Sequence, residues 1–157
     1  MTGVERPLGR LIMVTGADPQ DVAGLGYAVA ARLTRAIHVD GPVLDRMLVT
    51  DRAPAEQPLD PAAVEQLYLR LLAAIAVAET YQQAGFDAVI SDVVVDGFLE
   101  DFLDFVSPAQ LHLVVLGGPA GAPPQEVGLW LDPAGRSVVE TANDVLDRLD
   151  EALVTTR

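Results

Sequence analysis

The chain alternates apolar runs with amphipathic stretches. Leu11–Thr15 is a continuous apolar run, preceded by Gly9-Arg10 and closed by Gly16, the pattern of a buried strand. An amphipathic helix is predicted over Val22–Thr34, with Asp21 as its N-cap. Ala36–Val39 reads as a short second strand and Pro42–Leu48 as a short helix. The Pro-rich, polar Thr50–Leu59 reads as a loop. Asp60-Pro61 supplies an N-cap followed by proline at the first helical position, so a long helix is predicted from Pro61 to Ala84, ending at Gly85. Its Val64, Leu67, Leu71, Leu72, Ile75 and Ala78 fall mostly three or four apart, so it packs by one face. Phe86–Val95 contains a strand and Gly97–Val106 a helix with acids on its outer face. Leu111–Leu116 and Val127–Leu131 are two further strands. Ser137 and Glu140 form a capping box that opens a last helix, reaching about Leu153.

Strands alternate with helices, and the strands are mostly unbroken apolar runs. That is the signature of a parallel sheet covered on both faces. The predicted fold class is therefore α/β, a three-layer αβα domain on a five-stranded parallel sheet. The 157 residues, half of them hydrophobic, suit one domain over 1–157, with residues 1–9 as a flexible N-terminus. Ligands of such sheets bind at the carboxyl ends of the strands. Here those ends are Gly16–Asp21, Asp40, Asp92–Asp96, Gly117–Gly118 and Asp132.

Charge narrows the function classes. The net charge is −13, the chain has no lysine, and no arginine lies between Arg70 and Arg136. Phosphate backbones need cationic partners, so no nucleic acid is expected, and an anionic membrane surface is disfavoured. Gln82, Asp87, Asp92 and Asp96 interrupt the richest apolar stretches, so no membrane span is expected. The N-terminal MTGVERPLGR lacks an apolar signal core, and a cytoplasmic location is the expectation. The absence of cysteine excludes disulfides, a thiol nucleophile and a thiolate metal site.

Several segments carry a family resemblance: LIMVTG with the AVAARL helix, AIHVDGPVLDRMLV, GFDAVISDVVVDGFLEDFLDFV followed by HLVVL, and GLWLDPAGRSVVETANDVLDRL. In order and over nearly the whole chain, they resemble small P-loop kinases of the adenylate, shikimate and gluconate kinase type. The resemblance is strongest to the chloramphenicol-phosphotransferase-like branch. It implies a P-loop kinase fold, with a nucleotide at the first turn and an acceptor beyond the second and third strands.

Against the loop pattern G-x-x-x-x-G-K-[ST], Gly16 stands at the first glycine. Asp21 then replaces the second glycine, Val22 the lysine and Ala23 the hydroxyl residue. Asp21 brings a negative charge to a phosphate turn, Val22 removes the cation, and Ala23 removes the metal-ligating hydroxyl. Like charges a few ångströms apart repel by roughly 1 kcal/mol in water and about 4 at a partly buried site, so Asp18 and Asp21 oppose a triphosphate. The family's Arg-rich lid corresponds to Gly117–Glu126, GGPAGAPPQE, which has no arginine. Phosphoryl transfer depends on positioning and cationic stabilisation. ATP-dependent transfer is therefore not expected. Gly24-Leu25-Gly26 lies within the helix, so it reads as close packing and not as a dinucleotide turn.

The acceptor side is better kept. Asp40 matches the family's acid that engages the substrate hydroxyl, and Asp92 lies where the family places an acid near the end of the third strand. His38 lies two residues before Asp40, on the same strand face. These three are the catalytic candidates, because carboxylates and a His at strand ends suit acid/base work. Asp18, Asp45, Arg46, Asp96 and Tyr27 are the substrate-binding candidates. Each has a plainer alternative. His38 can fill a strand edge, and Asp40 can cap a helix or solvate a loop. Asp92 and Asp96 can keep a strand end soluble, and Asp18 can make an Asp-Pro turn. Arg46 can pair with Asp45 or Asp40, and Tyr27 can line the nucleotide side or pack in the core. His112, inside a strand, reads as structural. Asp18, Asp40 and Asp92 carry the hard oxygens that suit Mg²⁺ or Ca²⁺, but no EF-hand spacing or His pair accompanies them. No metal and no cofactor is assigned.

The expected function is a repurposed scaffold. It has lost ATP phosphoryl transfer and binds a small hydroxylated molecule in the former acceptor cleft, with acid/base chemistry there as an extension. A non-catalytic pseudokinase acting as a binding or regulatory subunit, with the Pro61–Ala84 helix used for homo-oligomerisation, is the first alternative. A residual ATP-dependent small-molecule kinase is the second.

Overall fold

The computed structural model describes residues 6–54, 56, 58–94, 98–106, 109–117 and 127–155. Five parallel strands run β1 (Leu11–Gly16), β2 (Ala36–Asp40), β3 (Asp87–Ser91), β4 (Gln110–Leu116) and β5 (Leu129–Leu131), in the spatial order β2-β3-β1-β4-β5. The five-stranded parallel expectation holds for that path. A sixth strand was not expected. β6 (Leu153–Thr155) pairs antiparallel with β4, setting Leu111 opposite Val154. The last helix accordingly stops early. α5 (Val138–Asp147) gives way to a 3-10 turn over Leu149–Ala152, which feeds β6.

Period-two alternation on β1 sorts the core into two layers. Leu11 and Met13 face a cluster with Leu67, Leu71 and Ile75 of α3 (Pro61–Gln83) and Phe102 of α4 (Phe98–Val106). Ile12 and Val14 face the other cluster, with Val22, Leu25 and Val29 of α1 (Pro19–Ala31) and Ala142 and Val145 of α5. Full burial of such side chains contributes about 1.5–3 kcal/mol each.

Local signals set the helix ends. Asp60 caps α3 by accepting from Ala63 N at 2.8 Å, and Gly85 takes φ +85° beyond its end. α3 is also long and apolar enough, by length and composition alone, to cross a membrane, contrary to expectation. In this fold its inner face lies on the sheet, while Leu69 and Leu72 face outward. Asp87 at the start of β3 receives Arg10 N at 2.7 Å and the Arg10 guanidinium at 3.1 and 2.8 Å. Burial favours the neutral acid there, but the Arg10 bonds outweigh it and hold Asp87 below the usual carboxylate range.

α1 begins at Pro19 and not at Val22, and its N-cap is Asp18 and not Asp21. Proline at the first helical position needs no hydrogen-bond partner for its nitrogen, so Asp18-Pro19 starts the helix as Asp60-Pro61 does. Ala17 and Asp18 alone separate β1 from α1.

Candidate functional site

The sheet order changes direction at β1, and polar groups gather at the carboxyl ends on either side of it. On one side are the ends of β2 and β3. Their parallel register places Asp40 opposite Ser91. Ser91 Oγ, fully buried, lies 3.3 Å from Asp40 Oδ1 and 2.7 Å from His38 Nε2. Ser91 has one hydroxyl hydrogen and donates it to Asp40, so His38 Nε2 is the donor in its bond to Ser91 Oγ. The result is a polar relay from His38 through Ser91 to Asp40. Burial lowers the His38 pKa, opposed by the charge of Asp40. Asp40 stands at the N-cap position of α2 (Gly41–Met47), yet its side chain makes no capping bond.

Asp92 is placed differently. It is 2% exposed, and Arg70 of α3 grips both its oxygens, Nε to Oδ2 at 2.8 Å and Nη2 to Oδ1 at 3.0 Å. Burial raises the Asp92 pKa, while the Arg70 charge and hydrogen bond act against it. Arg70 Nη1 also lies 3.5 Å from Asp45 Oδ1, and Asp45 Oδ2 pairs with Arg52 at 2.7 Å. This ion network ties the end of β3 to α2, α3 and the loop between them. A Cβ on Gly41 would stand 2.0 Å from Asp92 Oδ2, so glycine alone lets α2 start against that carboxylate. Asp92 is thus a buried counter-ion of Arg70.

The remaining candidates divide. Tyr27 is 67% exposed, which excludes core packing, and its ring meets His38 edge-on with centroids 6.3 Å apart. Arg46 is exposed and makes no ion pair with a described residue, contrary to the expected pairing with Asp45 or Asp40; Asp45 pairs instead with Arg52 and Arg70. Asp18 is engaged at the start of α1, where its Oδ1 accepts from Gln20 N at 2.9 Å and Asp21 N at 3.2 Å. Among the described residues, no three acidic or His side chains are grouped to hold a metal ion. Asp96 and the arginine-free Gly118–Glu126 lie outside the described residues. Gly26 marks close packing as expected, since a Cβ there would stand 2.8 Å from His38 Nε2 and from Ser91 Cβ. Gly24 does not, with only a Val138 methyl at 3.9 Å. His112 Nδ1 donates to Leu149 O at 2.9 Å, a tie within the fold.

On the other side of β1 lies a cavity of about 400 Å³ between α1 and the segment from β5 into α5. Leu25, Leu116, Pro133 and Val138 supply apolar wall, and Asp21, Asp132 and Arg136 supply charge.

Among solved structures, the chain aligns over 92% of its length with 99% of the APS kinase CysC of Mycobacterium tuberculosis in complex with AMPPNP and APS, at TM-score 0.70 and 17% identity. It aligns over 92% of its length with 94% of a gluconokinase from Sinorhizobium meliloti 1021, at TM-score 0.60 and 17% identity. A sugar kinase from Janibacter sp. HTCC2649 aligns at TM-score 0.62 and 16% identity, over 92% of this chain and 96% of that one. The chain has the fold of the P-loop kinases. No protein-family profile and no curated protein matches it.

In a P-loop kinase fold, the turn after the first strand presents backbone N–H groups to phosphate. In this chain that turn is two residues long, and two of the N–H groups at the helix start already donate to the Asp18 carboxylate. Sequence reasoning missed Ser91, Arg52 and Arg70 as partners of the acids around the ends of β2 and β3. Arg70 carried a readable signal: it is the one cation in the 23 residues of α3, and a cation on an apolar helix needs an anion when buried. Ser91 carried none, because its role depends on the β2–β3 register.

Proposed function

We propose that this P-loop-kinase-fold protein does not transfer phosphate from ATP and binds a small, neutral or cationic, hydroxylated molecule beside the ends of β2 and β3. The observation that carries the first part is the Asp18 carboxylate on the N–H groups of Gln20 and Asp21. A fixed anion occupies the donors that a phosphate would need, and the two-residue turn leaves no loop to wrap one. On the acceptor side, Asp40 and His38 are the groups for binding and acid/base work, with Tyr27, Asp45 and Arg46 around them. Asp92 supports them as the counter-ion of Arg70. Calorimetry with Mg-ATP tests the first part: no binding is expected, and clear micromolar affinity would overturn it. Thermal-shift screening with neutral and aminated polyols tests the second. Stabilisation of the wild type that disappears in Asp40→Ala is expected, and equal stabilisation of both places the ligand elsewhere.

A second reading, a non-catalytic binding or regulatory subunit, is favoured by the outer face of α3. Leu69 is 57% and Leu72 45% exposed, with exposed Ala73 and Ala76 on the same helix side. Light scattering on the wild type and on Leu69→Glu separates the readings, since an oligomer that dissociates in the variant supports this one.

A further inference from the structure

We propose that the cavity between α1 and the β5–α5 segment is a second binding site, for a small organic cation: a protonated amine carried on an apolar body. The proposal is independent of the acceptor-side reading, because the cavity lies across β1 from His38 and Asp40. Its volume of about 400 Å³ falls in the lower part of the range typical of small-molecule sites. Apolar wall from Leu25, Leu116, Pro133 and Val138 suits a compact hydrophobic body.

Charge selects the polar end. Asp21 lines the cavity, and its carboxylate has no partner among the described residues. Asp132 uses Oδ1 to accept from Ala134 N at 2.9 Å, which leaves Oδ2 available. Among the described lining residues Arg136 is the only cation, and it is committed to Asp144 at 3.0 Å. Asp144 is shared with Arg148, which in turn holds Glu151 at 2.8 Å, so these four charges cancel. The partial positive end of α1 is already met by Asp18. Among the described residues, two carboxylates, Asp21 and Asp132, therefore remain at the cavity without a compensating cation. They attract an ammonium group and repel a phosphate or carboxylate.

Heteronuclear NMR titration of the full chain with tryptamine, indole-3-propionate and adenosine 5′-monophosphate tests this. Tryptamine is expected to bind best and to shift the amides of Gly24 and Thr141. Asp21→Asn with Asp132→Asn is expected to weaken tryptamine by about fivefold or more and to remove the preference over indole-3-propionate. Asn at 132 retains an oxygen for the Ala134 N–H. Added salt should weaken tryptamine binding in the wild type. Val138→Trp fills the cavity from a half-exposed position and should abolish binding. Ala134→Phe, at an exposed position, serves the same purpose should that variant not fold. Binding of either anion as tight as tryptamine, unchanged binding in the filled variant, or no binding of any probe would overturn the proposal.

Discussion

Arg70 and Asp92 form a two-point fork, Nε to Oδ2 at 2.8 Å and Nη2 to Oδ1 at 3.0 Å, with the carboxylate 2% exposed. Removing one partner of such a pair strands the other charge, which costs about 3–5 kcal/mol. Arg70→Ala should lose about 3 kcal/mol at neutral pH, measured by urea unfolding. The loss should depend on pH with a definite sign. Burial raises the Asp92 pKa, so the unfolded chain ionises first as pH rises. Stability from this group is highest below about pH 3.9 and declines as pH climbs from there through the folded value. Without Arg70 the decline should deepen. A flat difference between wild type and variant across pH 4–8 would refute the counter-ion role.

Asp18 caps α1, and Asp21 does not. Asp18→Ala should therefore cost about 1 kcal/mol, and Asp21→Ala only a few tenths. Thermal melts of the two variants distinguish them, and the reverse ranking would return the N-cap to Asp21.

Gly26 sits inside a helix, where alanine ordinarily gains about 1 kcal/mol. Here a Cβ would stand 2.8 Å from His38 Nε2 and Ser91 Cβ. Gly26→Ala should accordingly destabilise, by about 1–3 kcal/mol, through overpacking. The matched exchange Gly24→Ala meets only ordinary contact and should be neutral or stabilising. Equal responses at both sites would show that the His38–Ser91 bond gives way easily.

Burial lowers the His38 pKa, with the charge of Asp40 acting against it. The unfolded chain then takes up the proton first as pH falls. The contribution of neutral His38 is complete above about pH 6.5 and is lost on acidification from there through the folded value. His38→Gln should flatten the stability curve below pH 6.5. NMR titration of the imidazole should place its midpoint below the free value in wild type, and a midpoint at or above it would contradict the buried relay.

The order and kind of the main elements were readable because they rest on long apolar periods, as in Leu11–Thr15 and the 3–4 spacing of α3. Boundaries set by one residue were less so. Asp60-Pro61 and Asp18-Pro19 are the same helix-opening pair, yet only the first was read as one, because the glycine-led motif drew the helix start to Asp21. β6 was illegible: a three-residue strand has no period, and Leu153–Thr155 pairs only because β4 offers Gln110, Leu111 and His112. The acids of the candidate site could be named from strand ends, but their partners could not. Whether Asp92 meets a ligand or an arginine depends on α3 crossing behind β3, a tertiary fact that no local pattern encodes.

The outer side of β4 is divided. β6 pairs with Gln110–His112 and β5 with Val114–Leu116, each over three residues. On that margin, a visiting strand from another molecule finds only short ribbons to extend, which makes strand addition a poor route to self-association. Any contact between copies on that side that avoids strand addition should leave the amide protection of β4 unchanged between dilute and concentrated solutions.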